Sequence, residues 1–309
     1  MYNIVNLSEY INSWRILENI ENNWFYDIVF FETKRYILDE FVNRKWSFKL
    51  YFLEDLAFDW GLSAVLEGLE NKKILFVLNE YNSFYLLPIL SLKVKKFKKF
   101  HILNTNIGIS SLVYKNIPEL YDITNMLEFL NIYEPIDFQD LINLFWKEEN
   151  LYARVANKDY AIDIFNGEKR DLDEIGLLDL TSFNLSGQNG TIVVWWSVLS
   201  NLLQAIDVLQ NQWYFFDVFV VRNYNFQLDE NFKDSLRNTE RLIFIWDVKG
   251  KGIVNLMKSK VYESGIYDLI IDFIFPKYEK VDTTLSDYLY ERAEFDYKSL
   301  ANRVINLLS

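Results

Sequence analysis

Residues 53–68 read LEDLAFDWGLSAVLEG, and this stretch joins an apolar run to a helix. The run Phe48–Leu53 is extended in character and ends directly before an acidic residue, Glu54. The helix that follows carries small residues on one face, at spacings of four, three and four. A face without bulk lets a second helix approach closely, so we expect a carboxylate at a strand-to-helix junction beside a subunit interface, formed by self-association or with the equivalent face of a partner. The small residues of that surface are Ala57, Gly61, Ala64 and Gly68.

The composition favours a globular protein of about two domains. The chain has 309 residues, of which 50% are hydrophobic. Its net charge of −12 argues against nucleic-acid binding, because phosphate contacts need a basic surface. The absence of cysteine excludes disulfides and thiolate metal sites. No secretion signal and no apolar run of roughly 18 residues is visible, so we expect a soluble cytoplasmic protein with no membrane segment.

Strand-like apolar runs alternate with helix-like segments through the first half of the chain. Several runs are continuously apolar, as expected for strands that are covered on both faces. The alternation predicts a mostly parallel sheet with helices on both faces. The predicted strands are Phe25–Phe31, Phe48–Leu53, Ile74–Leu78, Phe100–Leu103, Phe129–Tyr133 and Leu151–Val155, and the predicted helices are Thr33–Val42, Asp55–Glu67, Ser83–Leu92 and Asp137–Trp146.

The periodicity weakens from Ala156 to Gly190, where polar and turn-forming residues are frequent. We therefore predict an α/β fold of two doubly wound domains. The first covers 1–156, a linker covers 157–189, and a smaller domain covers 190–309. In the smaller domain the predicted strands are Thr191–Trp195, Phe215–Val221, Leu242–Trp246 and Leu269–Phe275, and the predicted helices are Val198–Leu209 and a closing helix near Lys298–Leu308.

Other patterns that could carry chemistry are few. The only histidine, His101, begins a predicted strand and is interpreted as a core or strand-end residue rather than a catalytic one. The basic run Lys93–Lys99 (KVKKFKK) fits a solvated loop or helix face, and the alternative is a docking patch for an acidic partner. The sequence has no histidine cluster suited to a metal, no phosphate-cradling GxxxxGK and no dinucleotide fingerprint.

Several motifs follow one another in a characteristic order. The segment Phe52-Leu53-Glu54 precedes the small-residue helix, and the strand Ile74–Leu78 precedes two aromatic residues, Tyr81 and Phe84. Pro135, Asp137 and Arg154 then mark a strand, a helix start and a strand end. The second half opens with GTIVVWWSVLSNLLQAIDVLQ and continues with RLIFIWDVKGKGIVNLM, a strand that leads through a glycine-containing turn into a helix.

In this order and spacing, the chain resembles the pyrimidine-binding and C-terminal domains of the transketolase superfamily. That pair forms the β subunit of 2-oxoacid dehydrogenase decarboxylases, such as the pyruvate dehydrogenase β subunit, and the second half of split transketolases. The resemblance implies that thiamine diphosphate binds in a cleft between two chains. In this family a glutamate hydrogen-bonds a ring nitrogen of the aminopyrimidine and activates the cofactor, which carries the chemistry.

Glu54 matches that glutamate, and Tyr81 and Phe84 match the aromatic pair around the pyrimidine. Stacking of a ring on a flat heterocycle contributes roughly 0.5–1.5 kcal/mol beyond burial. Without the resemblance, Glu54 is interpreted as a helix-capping or first-turn acid, and the two aromatic residues as core. Asp137 is interpreted as a helix cap and Arg154 as a structural or surface ion-pair residue.

The chain departs from the family in two ways. The segment TNIGISSLVYKNIPELYDI, where relatives carry histidines and glycine-rich loops, has no histidine and one glycine, Gly108. The Gly-Asp-Gly stretch that binds the diphosphate and Mg²⁺ is also absent, so the resemblance implies a separate α-type subunit that holds both, in an α2β2 heterotetramer. The substrate would be a 2-oxo acid (decarboxylation and acyl transfer) or a ketose phosphate (ketol transfer). The alternative is a catalytically degenerate subunit with an assembly or regulatory role.

Overall fold

The computed structural model describes residues 4–5, 15–23, 25–31, 45–53, 60–79, 93–107, 130–135, 138–156, 160–161, 177–179, 187–247, 251–277 and 290–308. These residues divide into two compact units, each with its own sheet. The first unit takes its described residues from Ile4–Ile107 and Met126–Tyr160, and the second from Ala161–Ser309. Both units mix helices with parallel strands, which confirms the predicted fold class.

The first unit is built on a six-stranded sheet in the order β3-β2-β4-β5-β7-β6. Every pairing in this sheet is parallel. Its central strands are apolar because they are buried on both faces, and all five residues of Ile74–Leu78 are buried. The strands are β2 (Ile28–Phe31), β3 (Lys49–Phe52), β4 (Lys73–Asn79), β5 (Lys99–Ile107), β6 (Asn131–Tyr133) and β7 (Asn150–Ala156); the short strands β1 (Ile4–Val5) and β8 (Tyr160–Ala161) form a separate pair.

Three helices are described in the first unit: α1 (Arg15–Asn23), α2 (Trp60–Glu67) and α3 (Phe138–Lys147). Helix α3 confirms the predicted helix within one residue at each end, and it buries Leu141 and Phe145. Helix α1 was not predicted, because its nine residues are mostly polar. Its few apolar residues, Ile16, Leu17 and Ile20, are nevertheless fully buried.

Helix α2 carries part of the proposed small-residue face. Leu62 and Leu66 are buried, whereas Ala64 and Gly68 are exposed. Ala57 lies outside the described residues. A Cβ added at Gly68 would meet nothing nearer than the Val65 carbonyl oxygen, at 3.6 Å. Helix α2 therefore turns its leucines inward, and self-association through the small-residue face stays a prediction.

The second unit is built on a five-stranded sheet in the order β13-β12-β10-β11-β9. Four strands are parallel, and β9 alone is antiparallel to its neighbour. Strand β9 lies inside the predicted linker 157–189, most of which is outside the described residues, so the domain boundaries stay a prediction. The strands are β9 (Leu177–Asp179), β10 (Thr191–Trp195), β11 (Asp217–Val221), β12 (Arg241–Ile245) and β13 (Ile270–Ile274).

The described residues of the second unit include four helices: α4 (Leu199–Gln210), α5 (Glu230–Thr239), α6 (Lys251–Glu263) and α7 (Tyr297–Leu308). Helices α4 and α7 confirm predicted helices, and they pack against each other. Helix α5 is capped by Asp229, whose Oδ1 accepts the Phe232 amide at 2.8 Å. Among the described residues, no helix combines the length and the apolar character that crossing a bilayer requires.

Candidate functional site

The topology of the first sheet marks its carboxyl edge as the place for a ligand. Strand β3 lies on one side of β2 in the sheet, and β4, the next strand along the chain, lies on the other side. The direction of winding therefore reverses beside β2. In open parallel sheets, ligands bind at the carboxyl ends of the strands where the winding reverses. The site predicted from sequence follows these same strand ends.

Glu54 lies outside the described residues and comes two residues after β3 ends at Phe52. The residue before it, Leu53, is only 3% exposed. Tyr81 and Phe84 also lie outside the described residues and follow β4, which ends at Asn79. All three candidates therefore follow strands that are parallel neighbours of β2 and end at one edge. Their assignment as site residues stays a prediction.

Buried polar side chains lie on β5 and on its neighbour β7, and Asn104 and Thr105 of β5 are in the carboxyl half of the strand. Asn104 on β5 donates from Nδ2 to the Tyr152 hydroxyl on β7, at 2.6 Å. Thr105 donates from Oγ1 to the Leu78 carbonyl oxygen on β4, at 3.2 Å. These three polar side chains are at most 2% exposed. This part of the sheet therefore holds hydrogen-bonding groups in a desolvated setting, where each hydrogen bond is stronger than in water.

A buried ion pair lies beside this group. Arg154 on β7 donates to Glu134, which directly follows β6, and both side chains are 1% exposed. The structure thus places Arg154 in an interior ion pair, the structural alternative predicted for it. Glu134 was missed by the sequence analysis, because nothing in the chain links it to a partner 20 residues away.

His101 lies on β5 towards the opposite, amino end of the sheet and is fully buried. Its Nε2–H donates to the Glu148 carbonyl oxygen at 2.9 Å, so its Nδ1 accepts the Tyr26 hydroxyl at 2.6 Å. Burial lowers the pKa of His101 to about 3 and raises the pKa of Tyr26 well above its ordinary value. His101 is a neutral core residue, as predicted.

The buried His101 is expected to make the fold acid-sensitive below about pH 6.5. Its pKa is lower in the folded than in the unfolded chain, so the unfolded state takes up the proton first and stability falls as pH falls. The expected loss is about 1.4 kcal/mol per pH unit, or roughly 2 kcal/mol by pH 5. Urea midpoints at pH 7.5 and 5 would measure it, with His101→Gln losing less over the same range. An NMR titration that protonates the folded-state ring near pH 6 would contradict the prediction.

The second unit carries its own polar cluster at the carboxyl edge of its sheet. Ser197, after β10, donates from Oγ to Oδ2 of Asp247, after β12, at 3.0 Å. Arg222, which follows β11, is also buried. The Trp195 ring stacks on Tyr224 with centroids 4.0 Å apart. The sequence analysis missed this cluster, because its members are distant in the chain and meet only when β11 and β12 pair on either side of β10.

The described residues contain no cradle for the diphosphate of thiamine diphosphate. The buried polar side chains of the first sheet bond to one another and to the backbone, and Glu54, Tyr81 and Phe84, which are predicted to contact the aminopyrimidine, lie outside the described residues. A diphosphate is usually cradled by backbone N–H groups in a glycine-rich turn at a helix N-terminus. The glycines among the described residues lie within or after helices or directly before β10, and none follows a strand of the first sheet. A Cβ at Gly187 would clash with the Phe215 backbone, so that glycine serves packing.

No group of three or more acidic or histidine side chains converges on a potential metal position in the part of the chain that the structure describes.

Solved transketolase structures share this fold. The chain is similar to a split-gene transketolase in an inactive β4 tetramer, at 13% identity and a TM-score of 0.69, over 97% of this chain and 98% of that one. It is also similar to a transketolase from Campylobacter jejuni subsp. jejuni, at 13% identity and a TM-score of 0.63, over 98% of this chain and 47% of that one. A transketolase variant from Pichia stipitis matches at 11% identity and a TM-score of 0.62, over 99% of this chain and 46% of that one.

The chain thus spans nearly the whole split-gene chain and a little under half of the two longer ones. No protein-family profile and no curated protein sequence matches it. At 11–13% identity the likeness establishes the fold. The resemblance stated from the sequence motifs is therefore confirmed at the level of fold, over both halves of the chain.

Proposed function

We propose that this chain is the β-type subunit of a thiamine-diphosphate-dependent enzyme that cleaves a carbon–carbon bond next to a carbonyl group. Its substrate is a ketose phosphate or a 2-oxo acid. The observation that carries the proposal is the parallel pairing of β3 and β4 on either side of β2. This pairing brings the ends of the two strands that precede Glu54 and Tyr81 to one edge.

In this proposal each candidate residue has one task. Glu54 accepts a hydrogen bond from a ring nitrogen of the aminopyrimidine, and the buried Leu53 before it supports a low-dielectric setting that strengthens this bond. Tyr81 and Phe84 pack against the pyrimidine ring. The cofactor, when bound, supplies the nucleophilic carbon, and the chain supplies orientation and the exclusion of water.

A separate α-type subunit holds the diphosphate and Mg²⁺ in this proposal, and α2β2 is the assembly we expect. Among the described residues, no glycine turn follows a strand of the first sheet. This supports the assignment of the diphosphate and Mg²⁺ to the other subunit. The likeness to a chain from a split-gene transketolase supports it as well. We place the assembly in the cytoplasm.

Measurements of cofactor binding test whether thiamine diphosphate requires both subunits. The chain would be purified alone and with an α-type subunit, recognised by Gly-Asp-Gly and a later Asn, and each sample titrated calorimetrically with thiamine diphosphate and Mg²⁺. Saturable binding by the complex and none by the chain alone is the expected result. Binding by the isolated chain would overturn the partner assignment, and binding by neither sample would overturn the proposed function.

A degenerate subunit is the second candidate function, and the lack of a histidine between Thr105 and Ile123 favours it. A complex that binds the cofactor but turns over neither a 2-oxo acid nor a ketose phosphate would select this alternative.

A further inference from the structure

The amino edge of the first sheet, opposite the candidate cofactor site, is unusually basic. The segments 45–49, 67–73 and 93–99 lead into β3, β4 and β5, and together they hold nine lysines and two glutamates, a net charge of +7. The whole chain carries −12, so the remaining residues carry −19. The sequence shows only the run Lys93–Lys99, and pairing of the strands adds the other lysines to the same edge. We call the following six residues the lysine edge: Lys45, Lys49, Lys72, Lys73, Lys95 and Lys98.

Backbone hydrogen bonds fix these segments side by side. The Lys49 amide donates to the Asp27 carbonyl oxygen at 2.9 Å, and the Asp27 amide donates to the Lys73 carbonyl oxygen at 2.9 Å. The Lys98 amide donates to the Lys72 carbonyl oxygen at 3.0 Å. The lysines are therefore held at one level across adjacent strands, and all six of the lysine edge except the half-buried Lys73 are exposed.

Neighbouring groups neutralise only part of this charge. Lys93 pairs with Glu67 at 3.0 Å, and Lys96 pairs with Glu70 at 3.5 Å. Lys99 donates from Nζ to the Phe145 carbonyl oxygen at 2.6 Å. Four further acids lie close by: Glu21 accepts the Ser47 amide at 2.8 Å, Asp27 precedes β2, and Glu148 and Glu149 precede β7. With these four acids counted, the three segments keep a net charge of +3.

The arrangement also places like charges next to each other. Lys73 and Lys99 are direct partners in the β4–β5 register. Burial, and after it the charge of Lys73, lowers the pKa of Lys99. Like charges on adjacent strands destabilise a sheet. A concentration of exposed lysines raises the local positive potential and attracts acidic partners.

The geometry points to the lysine edge as a docking surface for an acidic polypeptide segment of a partner protein. A short acidic segment contacts only this edge. A long nucleic-acid chain would also lie near the rest of the protein, whose net charge of −19 repels phosphate groups. The surface lies at the end of the sheet opposite the strand ends that precede Glu54. Docking there leaves the candidate cofactor site accessible, and this inference does not depend on the proposed function.

A labelled acidic peptide tests the inference. Fluorescence anisotropy of a fluorescein-tagged peptide of about twelve glutamates would be followed as the full chain is added, at about 50 and about 300 mM salt. The expected result is saturable binding that weakens at the higher salt. The charge reversals Lys72→Glu and Lys98→Glu, made together, should weaken binding by roughly tenfold or more.

A matched variant and two competing probes make the test decisive. Lys258→Glu with Lys298→Glu changes the net charge equally, but in α6 and α7 of the second unit, and should leave peptide binding unchanged. Equal weakening in this control, or no binding at low salt, would overturn the inference. Tighter binding of an oligothymidylate would also overturn it, as would salt-sensitive self-association lost in the lysine variant. Unaltered circular dichroism establishes that each variant is folded, and Lys72→Gln with Lys98→Gln should weaken binding to an intermediate extent.

Discussion

Replacement of Glu54 by glutamine is expected to lower kcat of the complex with the α-type subunit by about 10²–10⁴-fold. Glutamine keeps the length and shape of the side chain but removes the negative charge. A hydrogen bond to a carboxylate is roughly twice as strong as a neutral one, and the buried Leu53 before Glu54 supports a low-dielectric setting. Steady-state turnover at saturating thiamine diphosphate measures the effect, and size-exclusion chromatography checks that the complex still assembles.

A matched control for this variant is Glu67→Gln at the other end of the same segment. Glu67 is exposed and pairs with Lys93 on the surface, where ion pairs contribute little. We expect turnover of this control to equal that of the unmodified complex. If Glu54→Gln also left turnover unchanged in an intact complex, Glu54 would have no part in the chemistry.

Replacement of Glu134 by glutamine is expected to destabilise the first unit by about 3–5 kcal/mol, because it leaves the buried charge of Arg154 without its neutralising partner. For a unit of this size the loss corresponds to a fall in Tm of roughly 10 °C. Thermal and urea unfolding, followed by circular dichroism, would measure it. Glu67→Gln again serves as the control, since the same substitution at an exposed pair should leave the midpoint almost unchanged.

A double replacement separates lost charge from lost packing. Glu134→Gln with Arg154→Met removes both buried charges and keeps much of the side-chain volume. We expect it to be more stable than Glu134→Gln alone, because no unpaired ion stays in the interior. Equal stability of the single and double variants would show that the unpaired charge of Arg154 is not the cause of the destabilisation.

The predicted strands agree with the structure because burial on both faces leaves a strong signal in the sequence. Thr191–Trp195 was predicted to the residue, and Leu269–Phe275 includes the observed β13 with one extra residue at each end. The helices Thr33–Val42 and Ser83–Leu92, together with Glu54, Tyr81 and Phe84, lie outside the described residues, and they stay predictions.

Elements stabilised by contacts distant in the chain were missed. Strand β9 is only three residues long, and β11, some 40 residues later in the chain, supplies its antiparallel pairing. Helix α1 is polar at most positions and rests on three buried side chains. Short elements of this kind have little intrinsic preference of their own, so tertiary packing decides whether they form.

The sequence by itself determined the alternation of apolar strands and helices, because a buried strand or helix leaves a pattern of apolar residues within a short stretch of chain. Its motifs also indicated the family that the chain resembles. Tertiary structure alone decided which polar groups meet. The Tyr26–His101 contact spans 75 residues, and the Glu134–Arg154 pair and the lysine edge depend on strand register. Register is fixed by long-range pairing, so no local window of sequence contains it.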